Sequence, residues 1–263
     1  MTFKETLQKH WPEYLMEAWG LGMFMVSAGT FTCLLESPAS SLLSAIPNPD
    51  IRRALIGLAM GLTAISIIYS PWGQRSGAHL NPSVTLAFLR LGKVKPVDAL
   101  FYILAQFIGG TLGVLAMVWL IGIPFTEPPV SYITTVPGAA GKSVAFGAEF
   151  LISTVLMLTV LRVSNSKRYA SYTGLCAGIL VLTFISFEAP YSGMSMNPAR
   201  SFASASVAGS WKDIWIYCTV PVLGMQAATL FYRLIWPKNL VHCAKLDHSK
   251  LVRCIHCGYE PKN

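Results

Sequence analysis

Six apolar stretches divide the chain, and each one is long enough to cross a membrane as a helix. They cover residues 18–35, 54–74, 99–126, 143–161, 169–187 and 214–232, and only Glu149 interrupts them with a charge. A spanning helix needs about 20 mostly apolar residues, because it must cover a hydrocarbon core about 30 Å thick. The pattern therefore predicts an all-α membrane protein with six transmembrane helices.

Two Asn-Pro pairs open shorter apolar segments between these stretches. Asn is favoured at the N-cap and Pro at the first position of a helix, so helices are predicted over residues 82–90 and 198–207. Each piece is about 14 Å long and cannot cross the membrane alone. End to end they reach roughly 27–29 Å, which predicts two re-entrant half-helices that meet near mid-membrane. Irregular backbone at that depth must be buried in protein or line a wet cavity, so a pore or binding site is indicated.

The two halves of the chain follow one plan. Each has an acidic residue early in a helix, then a second helix, an Asn-Pro half-helix and a third helix; the acidic residues are Glu17 and Glu149. Three spans per half invert the second repeat relative to the first. The predicted divisions are an N-terminal segment (1–13), a channel domain (14–235) with repeats at about 14–123 and 143–235, and a tail (236–263).

Composition and charge agree with a membrane location. The chain is 53% hydrophobic and 12% charged, whereas soluble domains have about 25% charged residues. A net charge of +8 would suggest nucleic acid in a soluble protein, but fifteen of the twenty Lys and Arg residues fall on the side of the chain ends. Cytoplasmic loops carry such an excess. We therefore expect a multi-pass protein of the cell membrane with both termini cytoplasmic and no nucleic-acid partner.

The chemistry at the Asn-Pro sites favours neutral solutes. A helix N-terminus carries unpaired N–H groups and roughly half a positive charge. Two such ends at the midplane oppose any cation, while Asn81 and Asn197 offer amide donors to a passing oxygen. A water that accepts from both asparagines is poorly placed to bond to waters on both sides in a proton-conducting line. We therefore expect small neutral molecules to pass and ions, including protons, to be excluded.

This constellation resembles the aquaporin, or major intrinsic protein, family over about residues 14–235. Family members have six spanning helices, two half-helices that meet at paired Asn-Pro-Ala motifs, and a tetramer in which each subunit has its own pore. The first motif here has Ser83 in place of alanine, which adds one hydroxyl to the constriction, and the second motif matches fully. The resemblance implies a homotetramer in the lipid bilayer and a pore constriction formed by Asn81, Pro82, Ser83, Asn197, Pro198 and Ala199.

The resemblance also implies an outer selectivity filter. Arg200 follows the second motif and matches the family's filter arginine; the alternative is an arginine that pairs with an acidic neighbour or reaches the surface. Counted from the motifs, the other filter positions are Met60, Ile185 and Met194, although such residues in membrane helices are also ordinary packing residues. Water-selective members usually carry an aromatic residue and a histidine at two of these places, and this chain has neither. Ser201 is nevertheless similar to water channels, so a water channel and a facilitator of glycerol, urea or ammonia both stay open.

Three further residues have supporting roles by the same resemblance. Glu17 and Glu149 are expected to accept hydrogen bonds from the half-helix backbone; simple positioning near the interface is the alternative. His79 precedes the first motif and is expected in the inner vestibule, where it lines the pore, responds to pH or has only a structural role.

The tail contains Cys243, His248, Cys254 and Cys257, which together could supply four soft ligands for tetrahedral Zn²⁺. The family's pore requires no cofactor. Three interpretations stay open: a zinc site, a redox or interaction segment, and a tail with no special role.

Two other classes of protein fit the sequence less well than a channel. A secondary transporter also uses inverted repeats and broken helices, but it needs a coupling site, and beyond Glu17 and Glu149 the spans hold almost no ionisable groups. An enzyme is not expected, because the spans contain neither an HExxH nor a GxSxG motif. The sequence predicts a passive channel for water and other small neutral solutes.

Overall fold

The computed structural model describes residues 3–238, 240–249 and 251–261 of the chain. Residues 1 and 2 of the predicted N-terminal segment, and 239, 250, 262 and 263 of the tail, lie outside the described residues. Within the described residues the regular structure is helical, with no β-strand. The α-helices are α1 Phe3–Glu36, α2 Ser41–Ala45, α3 Pro49–Tyr69, α4 Pro71–Ser76, α5 Pro82–Arg90, α6 Pro96–Ile121, α7 Ile123–Thr126, α8 Lys142–Ser164, α9 Thr173–Phe187, α10 Ala189–Ser192, α11 Pro198–Ala208 and α12 Ile214–Ile235.

Six helical segments of the described chain are long and apolar enough to cross a membrane, which confirms the predicted number. They are α1, α3, α6, α8, α12 and the segment Ala170–Phe187 that contains α9. The predicted second stretch runs too far, because α3 ends at Tyr69 and Ser70 caps a separate short helix, α4. Helix α1 begins well before its apolar stretch, and its first turns pack on α6, where His10 Nδ1 and the Tyr14 hydroxyl contact Asp98 Oδ1 at 2.6 and 2.7 Å.

The two half-helices are α5 and α11. Helix α5 has the predicted bounds, and α11 extends one residue beyond the predicted end. In both, the Asn side chain accepts a backbone N–H of the first turn and Pro is the first helical residue. Nine and eleven residues give about 14 and 17 Å of helix, so neither crosses the membrane by itself.

Helix packing follows the inverted repeat. Within each repeat the first helix packs on the third, α1 on α6 and α8 on α12, while the second helices α3 and α9 pack on each other. Each half-helix packs on the third helix of the other repeat: α5 packs on α12 and α11 packs on α6. The close approach of α3 and α9 depends on Gly61 and Gly178, because a Cβ on either would lie 2.6 Å from the carbonyl oxygen of the other. This packing brings the two half-helix N-termini together in the middle of the bundle.

Candidate functional site

The loop before the first half-helix is held by a buried carboxylate of α1. Glu17 Oε1 accepts hydrogen bonds from Ser76 Oγ at 2.8 Å and from the backbone N–H of His79 at 3.0 Å. Its Oε2 accepts from the N–H of Leu80 at 2.7 Å and from Gln106 Nε2 at 2.8 Å. The side chain is fully buried, so these four donors replace the water that an ionised carboxylate needs.

Glu149 holds the loop of the second repeat in the same way. Its Oε1 accepts from Ser192 Oγ at 2.9 Å and from the N–H of Ser195 at 2.7 Å, and its Oε2 accepts from the N–H of Met196 at 2.8 Å. The correspondence is residue by residue: the serine hydroxyl lies five residues before the half-helix Asn in both loops, and the N–H groups belong to the two residues just before it. Both carboxylates therefore fix loop backbone.

A tyrosine near the start of the third helix supports each loop, a role that was not predicted from the sequence. The Tyr102 hydroxyl donates to Ser76 O and the Tyr217 hydroxyl donates to Ser192 O, both at 2.6 Å. Both tyrosines are fully buried. A comparison of equivalent positions in the two repeats is the sequence signal that would have found them.

The loops use backbone conformations that side chains rarely adopt. Ala78 and Leu80 have φ of 53° and 52°, and Met194 and Met196 have φ of 49° and 53°. Left-handed backbone is uncommon outside glycine and costs of order 1–3 kcal/mol per residue unless its surroundings hold it. Here the Glu carboxylates take the N–H groups of Leu80 and Met196, which leaves their carbonyl oxygens for other donors.

Those carbonyl oxygens accept from the two asparagines, each across the pseudo-symmetry axis. Asn81 Nδ2 donates to Met196 O and Asn197 Nδ2 donates to Leu80 O, both at 2.7 Å. Each Oδ1 caps its own half-helix, with Asn81 accepting from Ser83 N at 2.8 Å and Asn197 from Ala199 N at 3.0 Å. A carboxamide has two N–H donors, so one on each asparagine is left for a solute.

A cavity of about 470 Å³ passes both asparagines. Helix α3 lines it with one stripe at helical spacing, which consists of Arg53, Ile56, Met60, Ala64 and Ile68. From the first to the last residue this stripe extends about 22 Å at 1.5 Å per residue, most of the thickness of a hydrocarbon core. The cavity therefore runs along the bundle and is not a side pocket.

All four residues predicted for the filter line this cavity: Arg200, Met60, Ile185 and Met194. Arg200 Nη1 donates to the carbonyl oxygen of Ile133 at 2.7 Å, so the guanidinium is held by the link between the repeats. The three remaining side chains are apolar. Arg200 thus gives this part of the cavity a cationic group with several N–H donors, and Met60, Ile185 and Met194 add apolar side chains to the lining.

The rest of the Asn-Pro motifs lies behind the cavity wall. Pro82, Ser83, Pro198 and Ala199 are buried and do not line it. The hydroxyl that Ser83 was expected to add to the constriction is wholly buried and has no hydrogen-bond partner among the described residues. That expectation is not met, because position 83 is the second residue of α5 and faces the bundle.

His79 lines the cavity on the side of the chain ends. Its Nε2 lies 2.7 Å from the carbonyl oxygen of Ala244, which can only accept, so Nε2 carries a proton. Its Nδ1 lies 3.1 Å from Thr85 Oγ1. Both ring nitrogens are thus engaged, one of them by the tail.

The cavity is also lined by residues that the sequence analysis did not single out, among them Arg53 and Leu246. Arg53 lies on the same face of α3 as Met60, two turns before it, and it lines the cavity. Its helical spacing from Met60 is the sequence signal that would have indicated this position. Its Nε donates to Ser186 O at 3.0 Å and its Nη2 contacts Asp50 Oδ1 at 2.6 Å. Leu246 of the tail also lines the cavity, and no local sequence pattern signals this.

The four tail residues predicted as metal ligands lie together. The ligand atoms of Cys243, His248, Cys254 and Cys257 are all within 4.8 Å of one another. A hydrogen bond from Cys243 lowers the pKa of the Cys254 thiol, and the same contact raises the pKa of Cys243. Hydrogen bonding to the Cys254 sulfur raises the pKa of His248 to about 9. The arrangement thus favours thiolate at Cys254, which is the form that binds metal.

The fold and the site together define a class: a helical membrane channel with a central cavity that passes the N-termini of two re-entrant half-helices. A family model described as major intrinsic protein matches residues 5–232. Aquaporin NIP3-1 of Arabidopsis thaliana is 31% identical over 229 residues, 86% of this chain and 68% of that protein. Aquaporin-4 of Mus musculus is 33% identical over 198 residues, 72% of this chain and 58% of that protein.

A solved structure shares the fold. The X-ray structure of the aquaglyceroporin from Plasmodium falciparum aligns with a TM-score of 0.71 at 20% identity, and the alignment covers 87% of this chain and 98% of that one. The chain belongs to the major intrinsic protein family, whose members are channels and not enzymes, and the predicted resemblance is confirmed.

Proposed function

We propose that residues 14–235 form a passive channel for water and other small neutral solutes. The observation that carries this proposal is that one cavity passes both Asn81 and Asn197 and is lined along about 22 Å of α3. Each asparagine retains one amide N–H after its bond across the axis, so a solute oxygen in the cavity can accept from either. Such donors replace part of the hydration that a neutral solute leaves behind.

Ion exclusion rests on fixed positive charge. The half-helix N-termini of α5 and α11 both point to the middle of the bundle, and Arg200 adds a guanidinium to the cavity wall. Among the described residues no carboxylate lines the cavity, since Glu17 and Glu149 are fully buried against the loops. This also argues against a cation-coupled transporter, which needs an ionisable group in contact with its substrate.

A second candidate is a facilitator of glycerol, urea or ammonia. The observation that favours it is that the apolar side chains of Met60, Ile185 and Met194 line the same cavity as Arg200. The carbon backbone of such a solute makes favourable apolar contacts with these side chains, whereas a single water molecule finds few hydrogen-bond partners among them.

The setting of the channel follows from its charge and its surface. We place the protein in the cell membrane with both termini cytoplasmic, because basic residues concentrate on that side. We expect a homotetramer; large apolar side chains such as Trp119, which is 84% exposed, face lipid or a neighbouring subunit. Conduction needs no cofactor, and the tail cluster is a candidate zinc site.

Stopped-flow light scattering on proteoliposomes tests the proposal. Vesicles are shrunk first in an impermeant osmolyte and then in glycerol or urea. Fast shrinkage without re-swelling indicates a water-selective pore, and re-swelling indicates the broader filter. Rates equal to those of protein-free vesicles would contradict both candidates.

A further inference from the structure

The tail following α12 folds without helix or strand in its described residues, 236–238, 240–249 and 251–261. So short a segment has little apolar core of its own, and segments of this kind usually depend on a staple such as a metal ion or a disulfide. The cysteines of the described chain are all free. The cluster of cysteine and histidine side chains is therefore the candidate site for a metal ion that holds the tail in one conformation.

The geometry of that cluster suits a tetrahedral ion. Cys243 Sγ lies 3.4 Å from Cys254 Sγ, and His248 Nε2 lies 3.2 Å from Cys257 Sγ. In a tetrahedral zinc site with bonds of about 2.0–2.3 Å, neighbouring ligand atoms are about 3.6–3.8 Å apart. Cys257 is exposed and the other three residues are more buried, which gives an entry path. Three thiolates and one imidazole are ligands preferred by Zn²⁺.

A buried lysine beside the cluster fits the charge of such a site. Lys245 is only 2% exposed, and its Nζ donates to Arg253 O at 2.7 Å. It interacts electrostatically with the sulfurs of Cys254, Cys243 and Cys257. A buried ammonium is costly without a nearby anion. Zn²⁺ with three thiolates carries a net charge of −1, which the lysine offsets.

The ligands flank the part of the tail that reaches the pore. Between Cys243 and His248, the carbonyl oxygen of Ala244 accepts from His79 Nε2 at 2.7 Å, and the N–H of Leu246 donates to Gly77 O at 3.1 Å. The side chain of Leu246 lines the cavity itself and is 6% exposed.

Two further contacts fix the tail to the same mouth. Arg253 Nε contacts Glu13 Oε1 at 2.9 Å, which ties the tail to α1. Gln74 Nε2 donates to Asp247 Oδ2 at 2.7 Å, which ties it to α4. The segment between the first two ligands is thus laid across the loop that leads into the first half-helix.

We propose that Cys243, His248, Cys254 and Cys257 bind Zn²⁺, and that the ion holds the tail as a plug in which Leu246 narrows the pore. With the ion bound, residues 243–248 form a short closed loop whose apolar tip sits in the pore mouth. Without it, the tail loses its staple and leaves the mouth. The metal-binding part stands alone, while the plug rests on the proposed channel function.

The metal content of the purified full-length protein tests the first part. In reducing buffer, elemental analysis of the wild type is expected to give about one zinc per chain, and cobalt substitution is expected to give the visible spectrum of a tetrahedral thiolate site. The double variant Cys254→Ser/Cys257→Ser is expected to lose both signals. The control Cys218→Ser, a cysteine within α12, is expected to keep them. Absence of bound zinc and cobalt in the wild type overturns the proposal.

Water flux in proteoliposomes tests the plug. We expect a membrane-permeant chelator to raise wild-type flux about tenfold, the change produced by moving the tail from about 90% closed to mostly open. Leu246→Gly keeps the ligands and removes the apolar tip, so it is expected to bind zinc and to conduct at the high rate with or without chelator. Cys218→Ser is expected to respond like the wild type.

The outcomes separate the two proposals. If all variants conduct equally and chelation changes nothing, the plug is wrong and the channel function stands. If every variant stays at the rate of protein-free vesicles, the channel function fails, and the plug fails with it, whatever the metal analysis shows.

Discussion

Asn81 and Asn197 are joined reciprocally, since each donates its side-chain amide to the carbonyl oxygen of the residue that precedes the other. The two distances are both 2.7 Å, to Met196 O and Leu80 O. This relation distinguishes the pair from a third Asn-Pro helix start, Asn48-Pro49, whose side chain only caps α3. The reciprocal bonds lock the two half-helices together and orient the remaining amide donors.

Arg200 is expected to act as the cation barrier of the cavity. Replacing it in Arg200→Met removes the guanidinium and its bond to Ile133 O. We expect proton and cation leak through proteoliposomes to rise about tenfold, which corresponds to about 1.4 kcal/mol off the barrier. Arg233→Met is the matched control, because Arg233 is exposed in the last turn of α12 and is not among the residues that line the cavity. Equal leak in both variants would show that Arg200 has no special role.

Met60 is expected to set the width of the filter. Met60→Phe adds bulk to the cavity wall, so glycerol and urea re-swelling is expected to fall about tenfold while water flux changes much less. Leu62→Phe on the same helix is the control, because Leu62 is 54% exposed on the outer surface. An unchanged glycerol rate in Met60→Phe, in a protein that conducts glycerol, would remove Met60 from the filter.

Glu149 is expected to matter for the loop and not for proton transfer. In Glu149→Gln one oxygen becomes an amide that faces a backbone N–H donor, Ser195 or Met196. We expect the free energy of unfolding to fall by about 1–3 kcal/mol, seen as a lower melting temperature in detergent. Glu127→Gln, at an exposed carboxylate, should leave the melting temperature unchanged. A Glu149→Gln protein as stable as the wild type would speak against this role.

Gly61 is expected to be required for the crossing of α3 and α9. A Cβ there would lie 2.6 Å from Gly178 O, so Gly61→Ala must push the helices apart, at a cost of about 1–3 kcal/mol. Gly147→Ala is the control, because a Cβ at Gly147 meets no atom within 4 Å. Thermal unfolding in detergent compares the two, and equal melting temperatures would contradict the account.

The helices could be predicted from the sequence, because apolar length and Asn-Pro caps are local signals. The bounds of α5 follow from Asn81 and Pro82 alone. The break between α3 and α4 was missed, because Ser70-Pro71 lies inside an apolar run. The position of Met60 in the cavity could be predicted only from the resemblance to the family. Once Met60 is placed there, helical spacing predicts that Arg53 lines the cavity too.

The long-range contacts of the tail could not be predicted. The four tail ligands are visible in the sequence, yet nothing local places Leu246 in the cavity or Ala244 against His79, 165 residues away. Ser83 shows that the sequence can also suggest a cavity-lining residue that the fold does not place there. Its motif position suggested a pore-facing hydroxyl, and the direction in which α5 leaves its cap turns that side chain into the bundle.

The most direct test of the central claim measures water flux and proton leak in the same proteoliposomes, for the wild type and Asn197→Asp. The aspartate cannot donate to Leu80 O and places a negative charge between the half-helices. The control is Asn48→Asp, because Asp caps a helix as well as Asn does. With a membrane-permeant chelator present to remove zinc from the tail, we predict fast water flux without proton leak for the wild type and the control, and slower flux or a proton leak for Asn197→Asp. Normal flux without leak in Asn197→Asp would contradict the proposed mechanism.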